Sequence, residues 1–112
     1  MEPTIDVLHA ALNGLMARQS VIANNIANAS TPGFKASQVS FEAALRQAMQ
    51  AGTAPATDPS VVSPTMAAPN QDGNNVNLEG ETLSLAETEL RYQAMVDAVN
   101  GQFQVLNTSI QG

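Results

Sequence analysis

The sequence predicts an all-α protein in which a long N-terminal helix and a long C-terminal helix pair as an antiparallel coiled-coil hairpin. At both ends of the 112-residue chain, apolar residues recur at alternating steps of three and four, and prolines crowd the middle. The first pattern is typical of helices that pack lengthwise on other helices. The second excludes helix interiors and central strands, so the middle should be irregular apart from one short helix.

The N-terminal helix is expected within residues 1–29. Pro3 suits its first turn, where the missing N–H costs nothing. Its surface carries few charges beside the apolar stripe, whereas an ordinary solvated helix carries more, so we expect neighbours on several sides. The stripe forms one half of the predicted helix-pair seam and consists of Ile5, Leu8, Leu12, Leu15, Ile22 and Ile26.

Residues 30–51 should form a stiff turn followed by a short helix. Pro32 and Gly33 suit the two central positions of a type II turn, because proline presets φ and glycine accepts a positive φ. We expect Ser40 to cap the short helix, which should end near Gly52. One apolar stripe runs along this helix and contains Phe41, Leu45 and Met49.

Residues 52–76 are predicted to be a Pro-rich linker, either extended and exposed or disordered. Four prolines fall between residues 52 and 71, and Val61 and Val62 suit a short strand-like contact. The linker should end in a turn at Asp72–Asn75. This turn does not match the calcium-loop pattern, because Val76 and Asn77 stand where a ligand and a glycine are needed.

The C-terminal helix is expected over residues 77–112, capped by Asn77 and favoured by Glu79 and Glu81 near its positive end. Its stripe supplies the second half of the seam: Leu85, Tyr92, Val96, Val99, Phe103, Leu106 and Ile110.

An antiparallel alignment of the two stripes predicts the helix register. It sets Leu15 against Val99 and therefore places Gly14 opposite Gly101. Glycine facing glycine would let the two backbones approach closely. The four segments would then form one domain built from both ends of the chain.

Composition excludes several classes of function. The net charge is −6, all of it from residues 51–112, and no cluster of Lys and Arg suits a nucleic acid. The absence of cysteine excludes disulfides and thiolate zinc sites. No apolar run approaches the roughly 18 residues of a membrane span. Glu2 and Asp6 replace the basic start of a secretory signal, so we expect none to be cleaved.

No catalytic arrangement is visible in the sequence. His9 is the only histidine, and no nucleophile or orienting group accompanies it in a known pattern. The chain has no Gly-rich phosphate loop. We therefore predict that it is not an enzyme and that it binds no cofactor and no metal.

The run from Ala23 to Lys35, ANNIANASTPGFK, resembles the N-terminal signature of the bacterial flagellar axial proteins, which are the rod, hook and hook-associated subunits. Three further segments look most like the proximal-rod members: VSFEAAL (39–45), DGNNV (72–76) and LRYQA (90–94). The resemblance covers both ends and skips the middle. Ser30 stands where the family often has Asp, and Phe34 where it often has Tyr, and neither change removes the turn.

This resemblance implies a structural subunit of the flagellar basal-body proximal rod, which forms part of the motor drive shaft and of the export-channel wall. It implies export by the flagellar type III apparatus without a cleaved signal. The implied partners are like copies, the rod proteins FlgC and FlgF, the junction protein FliE and the membrane-ring protein FliF. The residues expected to carry assembly are Asn24, Asn25, Ile26, Asn28, Thr31, Pro32, Gly33, Phe34, Lys35, Phe41, Leu45, Arg91 and Tyr92.

Two alternatives stay open: another short rod protein similar to FlgC, or a small soluble helical adapter or chaperone-like hairpin that binds a partner helix. An adapter needs a self-sufficient fold. One seam between two helices buries too few apolar side chains to offset the conformational entropy that is lost when both helices become ordered. The assembly hypothesis is therefore favoured. It predicts a poorly ordered free monomer, with the turn and the short helix facing adjacent subunits.

Overall fold

The computed structural model describes residues 2–53, 55 and 59–111, with side chains at 2–4, 102, 103 and 106–111 outside the described set. The elements follow in the order α1 (Glu2–Ala27), β1 (Ser37–Ser40), α2 (Glu42–Ala51), β2 (Val61–Pro64) and α3 (Leu78–Gln111). The radius of gyration is 17.3 Å, against about 13 Å for a compact domain of this length. The body measures 64 × 26 × 15 Å, so the two long helices set its shape.

Helices α1 and α3 pack on each other and run in opposite directions over the stretch where polar contacts mark their alignment. The Asn25 amide donates to Glu81 Oε1 at 3.0 Å, and the Tyr92 hydroxyl lies 3.8 Å from the Met16 sulfur. Position 25 thus faces position 81, and position 16 faces position 92. Pairing along the full length of both helices stays a prediction.

The predicted register between the helices is wrong. Compared with it, α3 is displaced along α1 by about two turns, or roughly 11 Å at 1.5 Å per residue. A Cβ on Gly14 would meet the Phe41 ring, and a Cβ on Gly101 would meet nothing within 4 Å. A heptad stripe fits equally well after a shift of seven residues, so apolar spacing alone could not select the register.

The chain is mostly helical, and a two-stranded antiparallel sheet corrects the all-α prediction. Strand β1 pairs with β2, with Val39 opposite Val62 and Ser37 opposite Pro64. The strand-like contact expected at Val61–Val62 is confirmed by β2. Proline is tolerated at the end of β2 because β1 is that strand's only neighbour in this two-stranded sheet.

Ser40 does not cap α2, because it is the last residue of β1. Phe41 occupies the cap position instead and makes no side-chain capping bond there. The end of α2 is as predicted: Gly52 adopts the left-handed conformation at φ 71°. At the start of α3, Asn77 Oδ1 accepts the Gly80 N–H at 3.1 Å, which confirms the predicted cap.

The core lies where β1 and the start of α2 fold back over α1. Its buried members are Ala10, Ala11, Leu15, Val39, Phe41 and Leu45. The Phe41 ring lies directly against the backbone of Gly14, which leaves no room for a larger residue. Tyr92 and Met95 bring α3 against the same cluster. Phe41 therefore fills the site that the predicted register assigned to Gly101.

The predicted seam is buried most deeply in its centre. Leu15 and Ile22 are buried. The half-buried members are Ile5, Leu8, Leu12, Ile26, Leu85, Tyr92, Val96 and Val99. The side chains of Phe103, Leu106 and Ile110 lie outside the described residues. Within the described part of the chain, no helix combines the length and the apolar character that a bilayer crossing requires.

Candidate functional site

The segment after α1 forms a tight turn, which we call the signature turn (residues 28–36). The Thr31 N–H donates to the Asn28 carbonyl at 3.0 Å, and the Phe34 N–H donates to the Thr31 carbonyl at 3.2 Å. Gly33 has φ +76°, as the predicted turn at Pro32-Gly33 requires. Residues 30–33 are exposed, so one side of the turn faces solvent.

The opposite side of the signature turn is held by residues 72–76, which we call the clamp segment. The Gly33 N–H donates to the Asp72 carbonyl at 2.8 Å, and the Asn75 N–H donates to the Phe34 carbonyl at 3.2 Å. The Lys35 ammonium donates to the Gly73 carbonyl. Two of the segments that carry the family resemblance therefore touch each other directly.

The buried side chains of Asn74 and Asn75 hydrogen-bond the clamp segment to the backbone of the signature turn. Asn74 is 1% exposed, and its amide donates at 2.8 Å to the carbonyls of both Asn28 and Thr31. The Asn75 side-chain oxygen accepts the Ala36 N–H at 2.7 Å. These amides satisfy backbone groups that no strand or helix pairs, and a buried polar group left unpaired costs about 1–3 kcal/mol.

Asn25 joins α1, β1 and α3 at a single side chain. It is 0% exposed. Its oxygen accepts the Ser37 N–H at 3.1 Å, while its amide donates to the Ser37 carbonyl at 2.8 Å and to Glu81. The side chain thus pairs with Ser37 as a neighbouring strand would. Its complete hydrogen bonding is what makes a buried amide acceptable here.

Arg18 of α1 contacts both β1 and α2. Its guanidinium donates to both Glu42 oxygens at 2.7 and 2.8 Å and to the Val39 carbonyl at 2.9 Å. It also lies 4.7 Å from the centre of the Phe41 ring. The Arg18 hydrogen bonds hold the pKa of Glu42 at about 2, below its ordinary value of 4.5. Arg91 approaches the same carboxylate at 3.8 Å, which links α2 to α3.

The structure separates the predicted assembly residues into a displayed set and an internal set. The exposed residues are Asn24, Thr31, Pro32, Gly33, Lys35 and Arg91. Ile26, Asn28, Phe34 and Tyr92 are half-buried. Asn25, Phe41 and Leu45 lie inside the subunit. The internal set contacts other parts of the same subunit.

Sequence reasoning missed the Arg18–Glu42 pair and the partners of Asn74 and Asn75. Arg18 is an unusual charge on an apolar helix, which is the one signal that could have pointed to a specific partner. The sequence marks the clamp segment as a turn, but an amide can pair with any free backbone group, so its target could not be read from spacing. Across the residues that the structure describes, no acidic or histidine side chains cluster as metal ligands would.

The sequence is similar to known proteins over most of its length. The family model described as "Flagella basal body rod protein" matches residues 5–35, which span most of α1 and nearly all of the signature turn. FlgB of Bacillus subtilis (strain 168) is 37% identical over 121 residues, covering 97% of this chain and 94% of that relative. FlgB of Escherichia coli (strain K12) is 34% identical over 124 residues, covering 90% and 88% respectively. FlgB of Borrelia hermsii is 30% identical over 131 residues, covering 98% and 97%.

Proposed function

Because the chain belongs to the FlgB family of flagellar basal body rod proteins, we propose that it builds the proximal rod by packing its helices lengthwise against neighbouring subunits. Its role as a structural rod subunit in the basal body follows from the family, which is structural and not enzymatic. In the proposed rod, the packed helices form part of the motor drive shaft and of the export-channel wall.

The clamped signature turn is the observation that supports this proposal most strongly. The clamp segment holds one side of the turn through backbone and amide hydrogen bonds, while Thr31, Pro32 and Gly33 face solvent. Rigidity on one side and exposure on the other suit a surface that docks without losing much conformational entropy. The exposed turn residues and Arg91 would contact neighbours, and the internal residues would keep them in place.

The exposed apolar side chains support lateral packing. Leu83 and Leu90 are each 73% exposed on α3, and Met49 is 59% exposed on α2. Such residues are unfavourable on a free monomer but suit a subunit that neighbours surround. In the assembled rod, we expect α1 and α3 to pair as an antiparallel coiled coil as far as the start of α1, which the observed register sets opposite about Phe103. Leu106 and Ile110 would lie beyond that start and would contact neighbouring subunits. All four segments (1–29, 30–51, 52–76 and 77–112) would then act as one domain.

The proposed partners are like copies, FlgC, FlgF, FliE and FliF, and the proposed route is export by the flagellar type III apparatus.

Two matched substitutions test whether the signature turn is needed for assembly. Gly33 and Gly52 both have positive φ, and a Cβ added to either would meet no other part of the chain within 4 Å. Valine at either site should therefore strain the backbone to a similar degree.

The experiment compares Gly33→Val with Gly52→Val in a strain that lacks its own rod protein. Both variants should be exported at the wild-type level. The Gly33 variant should be recovered in purified basal bodies at a small fraction of the wild-type amount, and the Gly52 variant at close to that amount. Equal recovery of the two variants would refute the role of the turn in assembly.

A further inference from the structure

The solvent-facing side of α3 carries an apolar stripe with one acid at its centre. Leu83, Glu87 and Leu90 are spaced at i, i+4 and i+7 and therefore share one face, which we call the outer stripe. Both leucines are 73% exposed. Glu87 has only a loose contact with Arg91 at 4.0 Å between two largely exposed side chains. The acid is therefore free to take a closer partner.

A matching surface lies on α2. A shallow, largely open groove of about 420 Å³ runs along one face of α2 and is lined by Glu42, Leu45, Arg46, Met49 and Gln50. Its floor is mainly apolar, and Met49 is 59% exposed beside it. The other three cations of the chain have partners: Arg18 and Arg91 contact Glu42, and Lys35 contacts Gly73. Among the described residues, Arg46 has no ion-pair partner.

We infer that the α2 groove of one copy receives the outer stripe of a second copy of this chain, with Arg46 of the groove pairing with Glu87 of the stripe. Leu83 and Leu90 would pack beside that ion pair, chiefly against the exposed Met49. This inference rests on the proposed function and deepens it, because it names the surfaces by which like copies meet.

Charge decides between this contact and the symmetric alternatives. Two outer stripes facing each other would bring Glu87 against Glu87, and two grooves would bring Arg46 against Arg46, and both arrangements repel. Glu42 of the groove already bonds Arg18, and Arg91 is shared between Glu42 and Glu87 of its own copy, so groove against stripe is the contact that brings Arg46 to an acid without a close partner. Such a contact is heterologous, since each copy keeps one free groove and one free stripe. It therefore extends into a ring or a helical array, as a rod requires.

The test is sedimentation velocity of the purified full chain over a range of concentrations, with two charge reversals. Arg46→Glu and Glu87→Arg should each weaken self-association at least tenfold. The double variant, and an equimolar mixture of the two single variants, should regain it, because each restores opposite charges across the contact. Glu89→Arg is the matched control: it makes the same charge change off the outer stripe and should associate like the wild type.

Glu87→Arg also separates this contact from general repulsion. It makes the net charge less negative than −6, so repulsion alone would strengthen association, whereas the proposed contact predicts weakening. The chain has no cysteine, so Arg46→Cys with Glu87→Cys allows a short bis-maleimide to report the same contact in basal bodies. The expected result is a ladder of cross-linked copies that a pair at positions 46 and 89 does not give.

Wild-type association by both single variants, or equal cross-linking by the two cysteine pairs, would overturn the inference. Neither result would affect the proposed function, which is tested separately by recovery of the wild-type chain in basal bodies. Failure of the wild-type chain to enter basal bodies, with association in solution intact, would instead contradict the proposed function and leave the contact standing.

Discussion

Alanine at Gly14 and alanine at Gly101 should have opposite effects on stability, although both glycines lie inside long helices. A Cβ on Gly14 would lie 2.4 Å from Cγ of Phe41 and 2.5 Å from its Cδ1. Ordinary contacts begin at about 3.4 Å, so the ring would have to move by about 1 Å. That movement is restricted, because Phe41 is 4% exposed and Arg18 covers its ring. A Cβ on Gly101 would meet nothing within 4 Å.

The magnitudes follow from two opposing effects. Replacing glycine by alanine in a helix interior is favourable by about 0.5–1 kcal/mol, and Gly101→Ala should gain that amount. Overpacking a core typically costs about 1–3 kcal/mol, so Gly14→Ala should be destabilising by about 1 kcal/mol after the helical gain. The two variants should therefore differ by about 2 kcal/mol, or about 8 °C in Tm for a chain of this size.

The assay is thermal unfolding followed by circular dichroism at 222 nm, in trimethylamine N-oxide to favour the compact state. Gly101→Ala should melt above the wild type and Gly14→Ala below it. If both variants were destabilised to the same degree, the two glycines would face each other after all. The observed helix register, and the placement of Phe41 on Gly14, would then be wrong.

Three further results are expected from the same measurements. Arg18 lowers the pKa of Glu42 to about 2. The ionised Glu42 carboxylate therefore contributes fully to the free energy of unfolding above pH 4.5, and this contribution is lost as the pH falls towards 2. In Glu42→Gln, the free energy of unfolding should fall by about 1–2 kcal/mol less over that pH window than in the wild type, a range that allows for the partly exposed carboxylate. Parallel pH dependences of the two proteins would contradict this. Asn74→Ala should cost about 1–3 kcal/mol, because two carbonyls of the signature turn each lose one of their two donors and the Val76 N–H loses its acceptor. The exposed Asn70→Ala should be neutral. Tyr92→Phe should change stability by less than about 0.5 kcal/mol, because the Tyr92 hydroxyl contacts only the Met16 sulfur, at 3.8 Å. A larger loss would show that this contact is stronger than its length indicates.

The ends of the helices could be predicted from the sequence because local chemistry sets them. Asn77 caps α3 with its own side chain, and Gly52 ends α2 in a conformation that glycine adopts readily. The turn at Pro32-Gly33 follows the same logic, because proline and glycine restrict the backbone wherever they occur. Each of these features depends on residues that are close in the chain.

The register and the sheet could not be predicted, because side chains distant in sequence determine them. The apolar spacing puts Phe41 on a helical stripe, whereas its place against Gly14 depends on how β1 folds back over α1. Asn25 has the chemistry of a helix terminator, yet it pairs with the backbone of Ser37 and reaches Glu81. A short polar strand such as β1 carries little periodic signal and is stabilised by these tertiary partners.

The central claim is that neighbouring subunits complete this fold by covering the exposed surfaces of α2 and α3. The most direct measurement is the helicity of the purified chain at 222 nm at concentrations where sedimentation velocity has defined its association state. We predict low helicity in the monomer and a steep rise as copies associate. A monomer that is already fully helical, melts cooperatively and never associates would contradict the claim.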